Sequence, residues 1–199
     1  MIEVSKRVRA IAPSMTLAIS AKANELKAAG VKVINFGVGE PDFNTPEHIC
    51  NAAKEALDKG YTKYVAAAGL PALRKAIAKK LKKDNNLDYD PSQIIVSNGA
   101  KHSIFNAVFA VINEGDEVLI PKPYWLTYPE VVKSCGGIPE YIYATPRHGY
   151  KITAAQLEAA ITPRTKMLIF TSPNNPTGAV YTEKEIRAIA EVCVRHNIV

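Results

Sequence analysis

Cysteine is scarce in this 199-residue sequence. Cys50, Cys135 and Cys193 are odd in number and lack metal-like spacing. A disulfide framework is therefore excluded, and the thiols read as reduced groups of a cytoplasmic protein. Long apolar runs are also missing. No stretch approaches the ~20 residues a membrane span needs, and the start MIEVSKRVRAIAPS has no apolar targeting core. There is no internal repeat and no low-complexity tract. Aromatic residues make up 8%, with one Trp, and no aromatic platform lies beside the basic residues. Lys and Arg number 25 against 19 Asp and Glu, a formal charge of +6. Much of the excess is Lys75, Lys79, Lys80, Lys82 and Lys83, around one short helical pattern. This reads as a solvated helix face, not a nucleic-acid surface.

What is present is a globular composition, 47% apolar and 22% charged, which excludes disordered, collagen-like and coiled-coil chains. Short apolar runs alternate with amphipathic ones, the pattern of a layered α/β protein. Residues 1–45 read as an N-terminal arm or small-domain segment, and 46–199 as the first part of a large domain. An amphipathic run around Ile19–Ala29 ends at Gly30. Thr45-Pro46 predicts a capped helix start, with Ile49, Ala53, Ala56 and Leu57 on one face. Pro71 opens a helix marked by Leu73, Ile77 and Leu81. Strands are predicted at Gln93–Ser97, Glu117–Ile120, Ile138–Tyr143 and Lys166–Thr171. The helix after Gly99 should point Ile104, Phe105, Val108 and Ile112 inward. Thr153 with Gln156, and Thr182 with Glu185, have capping-box spacing. Asn197-Ile198-Val199 reads as the start of a further buried strand, which suggests one piece of a longer chain.

Five strings could carry chemistry. Ser97-Asn98-Gly99-Ala100-Lys101-His102 turns a strand into a helix, whose N-terminal N–H groups and dipole suit a phosphate. An ordinary strand–helix turn is the alternative. Ser172-Pro173-Asn174-Asn175-Pro176-Thr177-Gly178 follows a strand, at the end where open α/β sheets bind ligands. Its rigidity aims the Asn175 amide at a fixed acceptor. Pro123-Tyr124-Trp125 offers a flat ring for stacking on a planar cofactor, or else a core plug. In Phe36–Phe43, Gly39 could let a ligand approach the backbone. Tyr61-Thr62-Lys63-Tyr64 is either a surface loop or an aromatic reach.

In this order and spacing, GVGEPDF, YTKY, GAK, PYW, ITPRTK and SPNNPTGAVY resemble the pyridoxal-phosphate aminotransferases of fold type I, class I. The likeness runs from Ser5 to Val199, over about the N-terminal half of such an enzyme. It is nearest to the bacterial aspartate branch that includes aspartate/prephenate enzymes. The resemblance implies a truncated three-layer α/β/α fold with a mostly parallel mixed sheet. It implies exchange of an amino group between L-aspartate and 2-oxoglutarate, with aromatic or prephenate amination, or another fold-type-I reaction, as alternatives. It implies pyridoxal 5'-phosphate held by Gly99, Ala100, Lys101, Trp125 and Asn175, with Tyr64 reaching from a second copy of a homodimer. Gly39, Trp125, Asn175, Thr16 and Lys101 are implied at the substrate. The family's pyridine-nitrogen aspartate, Schiff-base lysine and carboxylate-gripping arginine would lie beyond Val199, so the piece alone should be inactive. Prephenate-active members tend to carry a lysine just before the proline matching Pro13, where this chain has Ala12.

Overall fold

The computed structural model describes residues 3–37 and 39–199. Val38, inside the GVGEPDF string, and the first two residues lie outside them. In chain order the elements are α1 (Lys6–Arg9), α2 (Met15–Ala28), α3 (Glu47–Asp58), α4 (Pro71–Asn85), α5 (Ala100–Val111), β1 (Glu117–Lys122), α6 (Thr127–Ser134), β2 (Ile138–Tyr143), α7 (Ala154–Ala160), β3 (Thr165–Leu168) and α8 (Glu183–Arg195). They form two compact units. One joins the segment ending at Pro13 to Asn98–Val199, and the other is Ser14–Ser97. The expected 45/46 boundary falls inside the second.

The first unit contains a three-stranded sheet, ordered β2-β1-β3. Every pairing among the described residues is parallel. Side chains alternate across a strand, so central β1 feeds two cores. Val118 and Ile120 join Val108 of α5, Ile112 at its C-cap, Tyr128 and Val132 of α6, and Met167. Leu119 joins Ile142, Leu157 of α7, and Ile189 and Val192 of α8. A strand covered on both faces reads as a continuous apolar run, as Val118–Ile120 does. This is the α/β/α layering expected from the sequence.

Local chemistry sets the helix starts. Thr153 accepts from Gln156 N–H while the Gln156 side chain accepts from Thr153 N–H, and Thr182 and Glu185 do the same for α8. The segment before Pro13 is tied to α6 by Ala12 N–H, which donates to Glu130 Oε2 at 3.0 Å. On the free edge of β3, Val199 N–H donates to Lys166 O at 3.1 Å, and Val199 O accepts from Leu168 N at 2.8 Å. That is a parallel bridge, as expected of a residue starting a strand.

The second unit has no strand among its described residues. Gln93–Ser97, expected as a strand, begins with Gln93 closing a 3-10 turn capped by Asp90. Ile94 is extended, with φ −111° and ψ 127°, but no ladder forms, because extended backbone becomes a strand only beside a partner. Instead Val96 N–H donates to Ala68 O at 3.0 Å. Gly69 permits this approach: its φ is +100°, and a Cβ there would lie 2.7 Å from Val96 Cγ2.

Other expectations also change. Thr45 does not cap α3, whose N-cap position is Pro46 and has no side-chain bond. Phe105 points outward, 39% exposed, and stacks on Phe109 at 5.8 Å. The inward face of α5 is set by Ile104 and Val108, continued by Ile112 at its C-cap. β3 ends at Leu168, short of Thr171.

Candidate active site

Gly99 opens the first constellation. Its φ of +83° and ψ of 164° need a glycine, and α5 has no side-chain cap there. The first intrahelical bond runs from Ser103 N–H to Gly99 O, at 3.3 Å. The N–H groups of Ala100, Lys101 and His102 thus have no intrahelical acceptor. A Cβ on Gly99 would meet nothing within 4 Å, so the turn faces open space. Exposed N–H donors, the positive end of a 12-residue helix and the Lys101 ammonium form a donor set suited to a phosphate.

His102 adds something the sequence did not disclose. Its Nδ1 accepts from Asn98 N–H at 3.1 Å, bracing the turn across Gly99. An ordinary histidine in a helix's first turn gives no sign of this until the turn is folded.

Trp125 lies on the loop after β1, partly buried against the α5–α6 core. Its ring meets Tyr128 edge-on, with centroids 5.6 Å apart and planes at 89°. Tyr128 Oη lies 2.8 Å from Thr171 Oγ1. The Lys101 ammonium sits 5.3 Å from the indole centroid, within cation–π range. The phosphate-type turn and the flat ring therefore meet. Trp125 is both a partial core plug and a ring with an accessible portion.

Asn175 is exposed, on the loop after β3. Its neighbour Asn174 donates through Nδ2 to Pro123 O at 3.4 Å, so this loop is tied to the one carrying Trp125. Beneath them is a cavity of about 10 Å³, lined in part by Tyr124, Tyr128, Thr171 and Asn174, with room for about one water. Larger surface hollows lie elsewhere. One of about 520 Å³ is lined by α7, α8 and the residues before them, and none of its lining residues is a predicted site residue.

The remaining predicted residues belong to the Ser14–Ser97 unit. Thr16 is exposed in the first turn of α2, where its carbonyl accepts from Ser20 Oγ at 2.9 Å. Gly39 is exposed, with nothing within 4 Å of a Cβ built on it. Tyr64 is fully exposed.

The model of the family "Aminotransferase class I and II" matches residues 31–199. The chain belongs to that family. The aspartate aminotransferase of Geobacillus stearothermophilus is 52% identical over 197 residues, 99% of this chain and 50% of that protein. The aspartate/prephenate aminotransferase of Cereibacter sphaeroides is 50% identical over 196 residues, 98% of this chain and 49% of that protein. Among solved structures, the aspartate aminotransferase of Thermus thermophilus with maleate superposes with a TM-score of 0.96 at 44% identity. All of this chain and 52% of that one are covered. This family member thus spans about half the length of the curated relatives it matches. No helix among its described residues is long and apolar enough to cross a membrane.

Proposed function

We propose that this chain serves an aspartate aminotransferase, exchanging an amino group between L-aspartate and 2-oxoglutarate with pyridoxal phosphate as cofactor. The observation that carries the reading is the Lys101 ammonium 5.3 Å from the Trp125 centroid. It sets an uncapped, anion-friendly helix start beside a flat ring, as a planar phosphorylated cofactor requires. When bound, pyridoxal phosphate supplies an electron sink for charge on the substrate's α-carbon.

The chain's own residues hold and orient. Gly99, Ala100 and Lys101 hold the phosphate with backbone N–H groups and a charge. Trp125 stacks on the ring, and the Asn175 amide donates to its phenolic oxygen. Thr16 and Lys101 bind the distal carboxylate of the substrate, and Gly39 lies against its α-carboxylate. Tyr64, exposed, reaches the phosphate of a second copy, in a cytoplasmic homodimer.

The test is visible absorbance of the full-length protein incubated with pyridoxal phosphate. Bound colour that shifts on adding L-aspartate is expected, and a colourless protein overturns the reading. Trp125→Ala should lower cofactor retention. A second reading, amination of prephenate, is favoured by the Cereibacter sphaeroides relative at 50% identity. Turnover with prephenate as acceptor separates the two.

A further inference from the structure

Asn174 uses both ends of its carboxamide. Oδ1 accepts from Thr177 N–H at 3.3 Å and from Thr177 Oγ1 at 3.0 Å. Nδ2 donates to Pro123 O at 3.4 Å. Only one orientation of the amide serves both sides, because the Thr177 N–H needs an acceptor and the Pro123 carbonyl needs a donor. The backbone of Asn174 is fixed as well. Its N–H donates to Ala179 O at 2.9 Å, and its carbonyl accepts from Gly178 N–H at 2.8 Å. The side chain is part-buried, so losing a partner there costs more than at an exposed site.

The two loops so joined are 51 residues apart in sequence. Pro123 lies two residues before Trp125, and Asn174 one before Asn175. Among the described residues, no other side-chain hydrogen bond links residues 172–178 to residues 121–126. We infer that Asn174 is a positioning residue that sets the Asn175 amide in register with the Trp125 ring. The inference rests on the reading of Asn175 and Trp125 as cofactor contacts. Asn174 itself touches no reacting atom. It acts through the trans peptide it shares with Asn175, whose Cα lies about 3.8 Å away.

The experiment compares Asn174→Asp and Asn174→Ala with wild type in the full-length protein. Asn174→Asp keeps an acceptor for Thr177 but sets a carboxylate oxygen against the Pro123 carbonyl. Asn174→Ala removes both links. Three quantities are read: the pyridoxal phosphate Kd by absorbance titration, amide exchange at Thr177, Gly178 and Ala179 in cofactor-free protein, and the melting temperature. The Kd should rise roughly 2- to 10-fold in both variants, the effect of one neutral hydrogen bond. Thr177 exchange should quicken in Asn174→Ala and stay slow in Asn174→Asp. If Asn174→Ala fails to fold, Asn174→Asp alone decides. A lowered melting temperature with an unchanged Kd in these variants overturns the inference and leaves the cofactor reading standing. Wild-type protein that binds no pyridoxal phosphate overturns both.

Discussion

Helices α3 and α8 are similarly amphipathic, yet they end differently. In α8, Ile189 and Val192 are buried against Leu119, Ile142 and Leu157. In α3 nothing is buried: Ile49 is 49% exposed and Leu57 65%. The same contrast separates the two units. The sheet-bearing unit holds both core clusters, whereas the described residues of Ser14–Ser97 include only Ala23 and Ile94 as buried hydrophobics. An apolar stripe announces a face to be covered. A sheet is what covers it here, because a strand buried on both sides offers apolar surface to helices above and below.

The largest expected effect tests that contrast directly. Leu119, 1% exposed in β1, should lose about 2–5 kcal/mol on substitution by alanine. Leu57→Ala in α3 should change stability by no more than about 0.5 kcal/mol. Urea unfolding reads both, and equal losses would break the distinction. Next is Gly137→Ala. Its new Cβ would lie 2.8 Å from Ile112 Cγ2 and 3.0 Å from Val132 Cγ1, so overpacking of about 1–3 kcal/mol is expected. Gly39→Ala, which meets nothing within 4 Å, should leave the unfolding midpoint where it is.

Acid provides a third probe, read at two carboxyls of the sheet-bearing unit. The Thr162 hydroxyl, and after it the Arg164 guanidinium, hold the buried Glu117 carboxyl below its ordinary value of 4.5, against the opposing effect of burial. Glu185 is pulled down from 4.5 to about 2, first by Lys151 and then by the Thr182 N–H. Lys151 Nζ lies 2.7 Å and 2.9 Å from its two oxygens. A depressed carboxyl stabilises the fold fully above its unfolded value, and that stability is lost as pH falls through the folded one. Stability should therefore decline from about pH 4.5 toward pH 2, and Glu185→Gln should flatten part of the slope in a pH series of unfolding curves. Another small effect is expected at an exposed pair, Lys82 with Asp88. Lys82→Ala should cost no more than about 1 kcal/mol, less at high salt; a larger loss would blur the contrast between the units.

Much of the fold was legible because its causes are local. Two capping boxes need only residues three apart, and EVLI reads as a buried strand from four consecutive positions. Gln93–Ser97 misled because its backbone is extended but unpaired. Phe105 misled because helical spacing left its side ambiguous until Val108 and Ile112 were seen against Val118. At the site, the Gly99 turn, Trp125 and Asn175 stood out as strings. Their neighbours did not: His102 as a brace, Tyr128 under the indole and Asn174 as a tie between loops are ordinary residues until folding brings distant segments together.

By itself, then, the sequence determined which backbone stretches turn, coil or extend, and which short strings are candidates for recognition chemistry. Those depend on residues within a few positions of one another. Only the tertiary structure decided which apolar faces are covered and which loops touch. Contacts such as Lys101 with Trp125, or Asn174 with Pro123, join residues that only the packing of helices on a parallel sheet brings into reach.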